Sequence, residues 1–300
     1  MRVAVTGGTG LIGPAVCRRL VGEGAEVVVL SRDPSRALSK LPAGVQAARW
    51  PDSADEEKAL GRIDAIVNLA GEPIGQRWTP AVKLRLRESR VKALDRLRGL
   101  VERSPSRPAV LVSASAVGYY GSRGDETLTE ESAPGTGFLP EVCLAWEEAA
   151  RRFEGLGIRT ARVRIGIVLA REGGALVRML PLFRLGAGGP IGSGRQWMSW
   201  IHVDDLTDLL LFALHEDRAA GPLNGTAPGP VTNAVFAATL GSVLRRPAIV
   251  PAPGVALRVV LGEMATLVLD GQRVLPGRAR ELGFPFRYPS LEGALRQILG

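Results

Sequence analysis

Cysteine and histidine are almost missing from these 300 residues: Cys17 and Cys143 are the only thiols, His202 and His215 the only imidazoles. Two thiols make no disulfide framework, and no C-x-x-C or H-E-x-x-H spacing exists, so a Cys/His zinc site is excluded and no metal is expected. Tyrosine is equally scarce, confined to Tyr119, Tyr120 and Tyr288. Lysine stands only at positions 40, 58, 83 and 92, which leaves 34 of the 38 basic residues as arginine. No apolar run approaches the roughly 18 residues of a membrane span, so no membrane partner is expected. Met1 leads within two residues into a strand-like segment; no signal peptide is expected, and the compartment reads as cytoplasmic.

What is present is a globular composition, 46% hydrophobic and 23% charged, which excludes disorder as the main theme. The net charge of +8 raises nucleic acid as a partner, but the arginines are scattered. The densest run, Lys83, Arg85, Arg87, Arg90, Lys92, Arg96 and Arg98, is broken by Glu88 and Asp95 within a helical pattern and reads as a solvated helix face. Nucleic acid is therefore not expected.

Met1 to Leu30 reads as strand, glycine turn, helix, strand: RVAVT, GGTGLIG, PAVCRRLVGEG, AEVVVLS. Pro14 near the helix start and Gly22 and Gly24 past its end fit the usual asymmetry of helix termini. Strand-like runs follow at 65–69, 109–113 and 159–168, separated by helical patterns at 80–103 and 138–154. Alternating strands and helices predict an α/β fold with a parallel sheet covered on both faces. After about residue 170 glycine and proline clusters interrupt shorter periodic segments, which predicts a second, smaller lobe. Phe183 to Gly194 reads as a long glycine-rich loop, and helices are expected at 203–214, 233–244 and 291–299.

Gly8-Thr9-Gly10-Leu11-Ile12-Gly13 matches G-x-G-x-x-G, and Gly7 extends it to G-x-x-G-x-x-G, between strand and helix. Such glycines make a tight turn, admit a pyrophosphate to the backbone and let the helix pack closely; the phosphates then sit on unpaired N–H groups at the helix start. At the end of the second strand, where a carboxylate would hold the NAD ribose, the chain has Ser31 and Arg32. A guanidinium beside a hydroxyl suits a 2′-phosphate, so NADP (NADPH) is expected over NAD, with Asp33 as the counter-argument.

TGGTGLIG, NLAG at 68–71, SASAVGYYG at 113–121 and WIHVDDL at 200–206 together resemble the extended short-chain dehydrogenase/reductase family, which includes nucleotide-sugar epimerases. NLAGEPIGQRW, FLPEVCLAWE and PLFRLGAGGPIGSGRQWMSWIHVDDL resemble an atypical, epimerase-like branch of it. The resemblance implies a Rossmann-type doubly wound parallel sheet with a smaller C-terminal substrate lobe. The cofactor domain would take residues 1–170, with 200–228 returning to it, and the lobe 171–199 and 229–300. It places Leu69, Ala70 and Gly71 on the adenosine and ribose side of the cofactor and Arg90 near its phosphates. Ser113 and Val168 fall toward the nicotinamide, and Ser115 at the catalytic hydroxyl. A small-molecule substrate, anionic or a sugar nucleotide, and a monomer or homodimer are implied.

The same resemblance calls for a Tyr-x-x-x-Lys pair, whose spacing puts both side chains on one helix face. Leu139 and Cys143 occupy those positions, and between Gly121 and Thr160 there is no tyrosine and no lysine in any register. Tyr119 or Tyr120, in the segment after Ser115, is expected to lend a phenol, while Cys143 reads as packing. Arg195, Gln196, Trp197 and Trp200 suit a clamp on a flat or anionic substrate, and Asp204 or Asp205 is expected to cap the helix after His202. Two functions stand side by side: an NADP(H)-dependent epimerase-like protein or oxidoreductase with an atypical active site, and an NADP(H)-sensing module without catalysis.

Overall fold

Valine-rich runs such as RVAVT and EVVVLS bury nearly every side chain, as strands covered on both faces must. In the computed structural model, which describes residues 1–51 and 61–300, these runs enter a seven-stranded parallel sheet. Its strands are β1 (Arg2–Thr6), β2 (Glu26–Ser31), β3 (Val45–Arg49), β4 (Ala65–Asn68), β5 (Val110–Ala116), β6 (Arg159–Ile165) and β7 (Gly221–Gly225). The spatial order is β3-β2-β1-β4-β5-β6-β7, a Rossmann-type doubly wound arrangement whose direction reverses between β1 and β4. Open α/β sheets bind ligands beyond the carboxyl ends of their strands at such a reversal.

Among the described residues the helices of eight residues or more are α1 (Gly13–Gly22), α2 (Pro80–Arg103), α3 (Phe138–Arg151), α4 (Gly174–Arg184), α5 (Val203–His215), α6 (Asn233–Leu244), α7 (Gly254–Leu261) and α8 (Leu291–Leu299). Alternation along each strand sorts its residues between two cores. Val3, Val5, Val27 and Val29 join Leu20 of α1 and Leu209 and Leu210 of α5 on one face. Ala4, Val28, Ile66 and Leu111 join Leu94 and Leu97 of α2 and Trp146 and Ala149 of α3 on the other. α2 begins where the sequence predicts, with Thr79 accepting from the Val82 amide at 3.3 Å and Pro80 at the first helical position.

The strand predicted over 159–168 is two strands in the structure. At Gly166 the chain leaves the sheet, and Ile167–Leu169 pairs instead with Trp200–His202. A Cβ at Gly166 would stand 2.3 Å from the Ser199 carbonyl oxygen, so this crossing admits only glycine. Beyond it a third core gathers Phe183 of α4, Trp200, Phe236 of α6 and Leu295 of α8. Ala279, Leu282 and Phe284 return to the first core, because the short helix Gly277–Glu281 lies against β7 at the sheet's edge.

Candidate functional site

The turn from β1 into α1 is built from glycines that the packing requires. Gly7 has φ +68° and faces the Leu69 carbonyl, from which a Cβ would be 2.5 Å; at Gly13 a Cβ would be 2.3 Å from the Gly8 oxygen, and at Gly8 2.7 Å from Val29. At Gly10 a Cβ would meet only the Gly7 oxygen, at 3.2 Å. Three glycines fit protein against protein; Gly10 faces outward. The first turn of α1 has no acidic residue, and Ile12 at its N-cap supplies no side-chain acceptor. Its leading N–H groups and helix dipole therefore have no side-chain anion to satisfy them, which fits a pyrophosphate.

At the end of β2 the Asp33 carboxylate caps the short helix Pro34–Leu38 by accepting the Arg36 amide at 3.0 Å, and Ser31 Oγ bonds within the same turn. Arg32 is exposed. One oxygen of the carboxylate that argued for NAD is thus occupied as a cap, while the Arg32 guanidinium beside it is exposed.

Thr6 and Asn68, at the ends of β1 and β4, stand in register with Ser113 in the middle of β5 and form a buried chain: Thr6 Oγ1 donates to Asn68 Oδ1 at 2.6 Å, and Asn68 Nδ2 to Ser113 Oγ at 2.9 Å. Ser113 links strands. Beside them, Arg90 reaches the Leu86 and Glu72 carbonyls at 2.8 and 3.1 Å and lies over the Trp146 ring, 4.9 Å from its centre. Gly71 lies against it, since a Cβ there would stand 3.1 Å from Arg90 Cζ. Burial pulls the Arg90 guanidinium below its ordinary value. Leu69 packs against both sheet cores and Val168 against the first, while the Leu11 side chain lies against Gly173 and Gly174.

Ser115 belongs to a closed polar network. Its Oγ donates to Glu147 Oε1 at 2.7 Å, and Glu147 receives Arg164 Nε and Nη2 at 2.8 and 2.9 Å. Arg164 Nη1 donates to the Tyr120 hydroxyl at 2.9 Å, and that hydroxyl donates to Asn224 Oδ1 at 2.7 Å. Burial is the largest influence on Arg164 and lowers it, yet the bonds and charge of Glu147 outweigh it and the guanidinium is held above its ordinary value. Burial pushes the Tyr120 phenol up to about 12. The expectation of a loop phenol therefore narrows to Tyr119, because Tyr120 is fully buried with its hydroxyl used as both donor and acceptor. The Tyr119 ring lies under the Arg164 guanidinium, 3.5 Å from centre to Cζ, and lines a groove of about 650 Å3 with Glu147, Arg162 and Arg164.

Leu139 joins an apolar cluster with Trp78, Phe138 and Met264, and Cys143 is buried with its thiol toward the Ala116 carbonyl at 3.6 Å. Burial pushes that thiol up to about 12, so it packs rather than reacts. The residue capping α5 is His202, not Asp204 or Asp205: its Nδ1 accepts the Asp204 amide at 3.0 Å. Asp205 is buried and accepts the Arg287 and Tyr288 amides at 2.9 and 3.0 Å. Trp200 is buried and donates to the Gly229 carbonyl, while Trp197 donates to Asp125, so these rings tie segments together. Glu147, Arg164 and Asn224 escaped the sequence reading. The alternating Arg162 and Arg164 within an apolar strand were the available signal, since a buried charge requires a partner.

Residues 3–224 match the NAD dependent epimerase/dehydratase family, and 252–298 match a domain of unknown function. The chain is 45% identical over 305 residues to the epimerase family protein SDR39U1 homolog, chloroplastic, of Arabidopsis thaliana, covering 100% of this chain and 87% of that one. It is 39% identical over 301 residues to the epimerase family protein YfhF of Bacillus subtilis, covering 100% and 98%. A crystal structure of human SDR39U1 (isoform 2) with NADPH superposes with a TM-score of 0.90 at 39% identity, covering 99% of each chain. A match over most of the chain, joined to full-length relatives at this identity, makes the protein a member of the NAD dependent epimerase/dehydratase family.

Proposed function

We propose that the protein is an NADP(H)-dependent oxidoreductase or epimerase of this family, working without the tyrosine–lysine pair. The observation that carries the cofactor half is the end of β2, where Asp33 is used as a helix cap and Arg32 stands exposed. The human relative crystallised with NADPH supports the same reading. Gly7 to Gly13 would hold the pyrophosphate on the α1 amides, Ser31 and Arg32 the 2′-phosphate, and Leu69, Ala70, Gly71 and Arg90 the adenosine, ribose and phosphate side. Ser113 and Val168 would border the nicotinamide, which when bound supplies or accepts hydride. Ser115, once its hydroxyl proton turns from Glu147 to the substrate, is the hydroxyl proposed to hold a carbonyl oxygen, with Tyr119 the remaining phenol to move a proton. The substrate class that suits this reading is a sugar nucleotide or another small carbonyl compound.

A second reading, an NADP(H) sensor that has lost the chemistry, is favoured by the commitment of Ser115 to Glu147 and of Tyr120 to Asn224 and Arg164. Titration with NADPH and NADH comes first. Each charge-assisted bond to the 2′-phosphate contributes about 1.5–3 kcal/mol, so NADPH binds about ten- to a hundredfold tighter. A preference for NADH overturns the cofactor assignment. Hydride exchange with sugar nucleotides and small carbonyls, abolished by Ser115→Ala, then supports catalysis; binding with no exchange across the panel supports sensing.

A further inference from the structure

Residues 173–203 and 218–262 contain arginine but not one aspartate or glutamate. Part of this chain forms a single exposed face. Residues 184–192 run beside 246–254: Arg246 Nε donates to the Arg184 carbonyl at 3.1 Å, the Val250 amide to Gly188 at 3.1 Å, and the Ala252 amide to Pro190 at 2.9 Å. On this face Leu185 is 81% exposed and Ile249 80%. The chain continues into α7, where Leu257 and Leu261, four apart, are half-buried while Val255, Val259 and Val260 are 73%, 75% and 68% exposed. An eight-residue helix with no buried side chain and its valines in solvent contradicts ordinary surface patterning.

The charge around these side chains is of one sign. Arg184, Arg245, Arg246 and Arg258 are exposed, and none pairs with a carboxylate among the described residues. Glu263, the first carboxylate after α7, is tied to Lys83. A protein partner of this basic chain would bring carboxylates in discrete positions, whereas an anionic lipid surface offers both a continuous negative potential and an apolar layer for the valines. We infer that the face formed by 184–192, 245–250 and α7 docks the protein on anionic lipid membranes. The expectation of no membrane partner rested on the lack of a spanning segment, and among the described residues no helix is long and apolar enough to cross. Lying on a surface requires neither length nor uninterrupted hydrophobicity.

The test is co-sedimentation of the full chain with vesicles of pure phosphatidylcholine and of equimolar phosphatidylcholine and phosphatidylglycerol. Binding is expected to the mixed vesicles alone and to fall as salt rises. Arg245→Ala with Arg246→Ala is expected to weaken it about tenfold or more. Val255→Asp with Val259→Asp is expected to weaken it by at least as much, while NADPH affinity, measured on the same samples, stays within about twofold as a check on folding. Equal binding to both vesicles, or none to either, overturns the inference. So does a dimer in sedimentation velocity that Val255→Asp with Val259→Asp dissociates in the absence of vesicle binding, because the face would then belong to a second copy.

Discussion

The glycine turn after β1 and the network beyond β5 lie at the same edge of one sheet, yet they treat their polar groups in opposite ways. At the turn, close packing is done by Gly7, Gly8 and Gly13, and the first amides of α1 have no side-chain acceptor. At the network, Ser115, Glu147, Arg164, Tyr120 and Asn224 satisfy one another. Open donors cost stability and make a ligand site; closed networks add rigidity and leave little hydrogen-bonding capacity for a substrate. Under the proposed function, the contrast assigns affinity for a dinucleotide chiefly to the open amides and stability of the fold to the closed network.

Breaking the network is expected to have the largest effect. Glu147→Ala leaves the Arg164 guanidinium, 4% exposed, without its carboxylate. Removing one partner of a buried pair costs about 3–5 kcal/mol, so the denaturation midpoint falls sharply. NADPH affinity of the remaining folded protein stays unchanged; an affinity loss without a stability loss would show that the two functions share residues. Gly13→Ala comes next, since its methyl would enter the Gly8 backbone and overpacking of this kind costs about 1–3 kcal/mol or somewhat more. Gly10→Ala sharpens the comparison: its methyl meets only the Gly7 oxygen, so the melting temperature holds while NADPH titration shows weakened binding.

Arg32→Ala tests the open end without touching the fold. Losing one charge-assisted bond to a 2′-phosphate costs about 1.5–3 kcal/mol, so NADPH weakens about ten- to a hundredfold and NADH does not change. Equal weakening of both cofactors would place the guanidinium elsewhere on the ligand.

How much of each region was legible follows from how each is encoded. The glycine turn is contiguous, and its backbone requirement fixes both residue type and spacing, so sequence suffices. α2, α6 and α8 begin at Thr79, Thr232 and Ser290, whose side chains cap them, and their bounds agree with the periodicity. α4 was hidden by Gly173 and Gly174 at its start and Pro181 inside it, which interrupt the helical pattern, and its last residues, Phe183 and Arg184, fall in the stretch that read as loop. The break at Gly166 depends on the approach of Ser199, a contact no local pattern announces. The network was illegible for the same reason: Arg164 meets a carboxylate 17 residues back, and Tyr120 an amide 104 residues on. A buried arginine predicts that a partner exists, but topology decides which one.

The smallest expected effect lies at the start of α5, where a third polar cluster is closed in one protonation state only. His202 Nδ1 accepts the Asp204 amide, and Nε2 bonds Gln297 Oε1 at 2.8 Å, so the neutral ring with its proton on Nε2 satisfies both partners. Burial, the largest influence, lowers the imidazole below its ordinary value; Gln297 and the charges of Asp204 and Asp205 raise it, and Arg287 lowers it. A histidine whose folded value lies below its unfolded value stabilises the fold above the unfolded value, about 6.5, and that contribution is lost as pH falls through the folded one. Protonation sets a second N–H against the Asp204 amide and uncaps α5. Melting temperatures of the parent and His202→Gln are therefore expected to converge as the pH drops from about 7.5 toward 5, with the parent losing more. Parallel curves would mean that the ring takes up its proton equally in the folded and unfolded chains, and that its stacking on Tyr288, at 4.0 Å, carries its contribution instead.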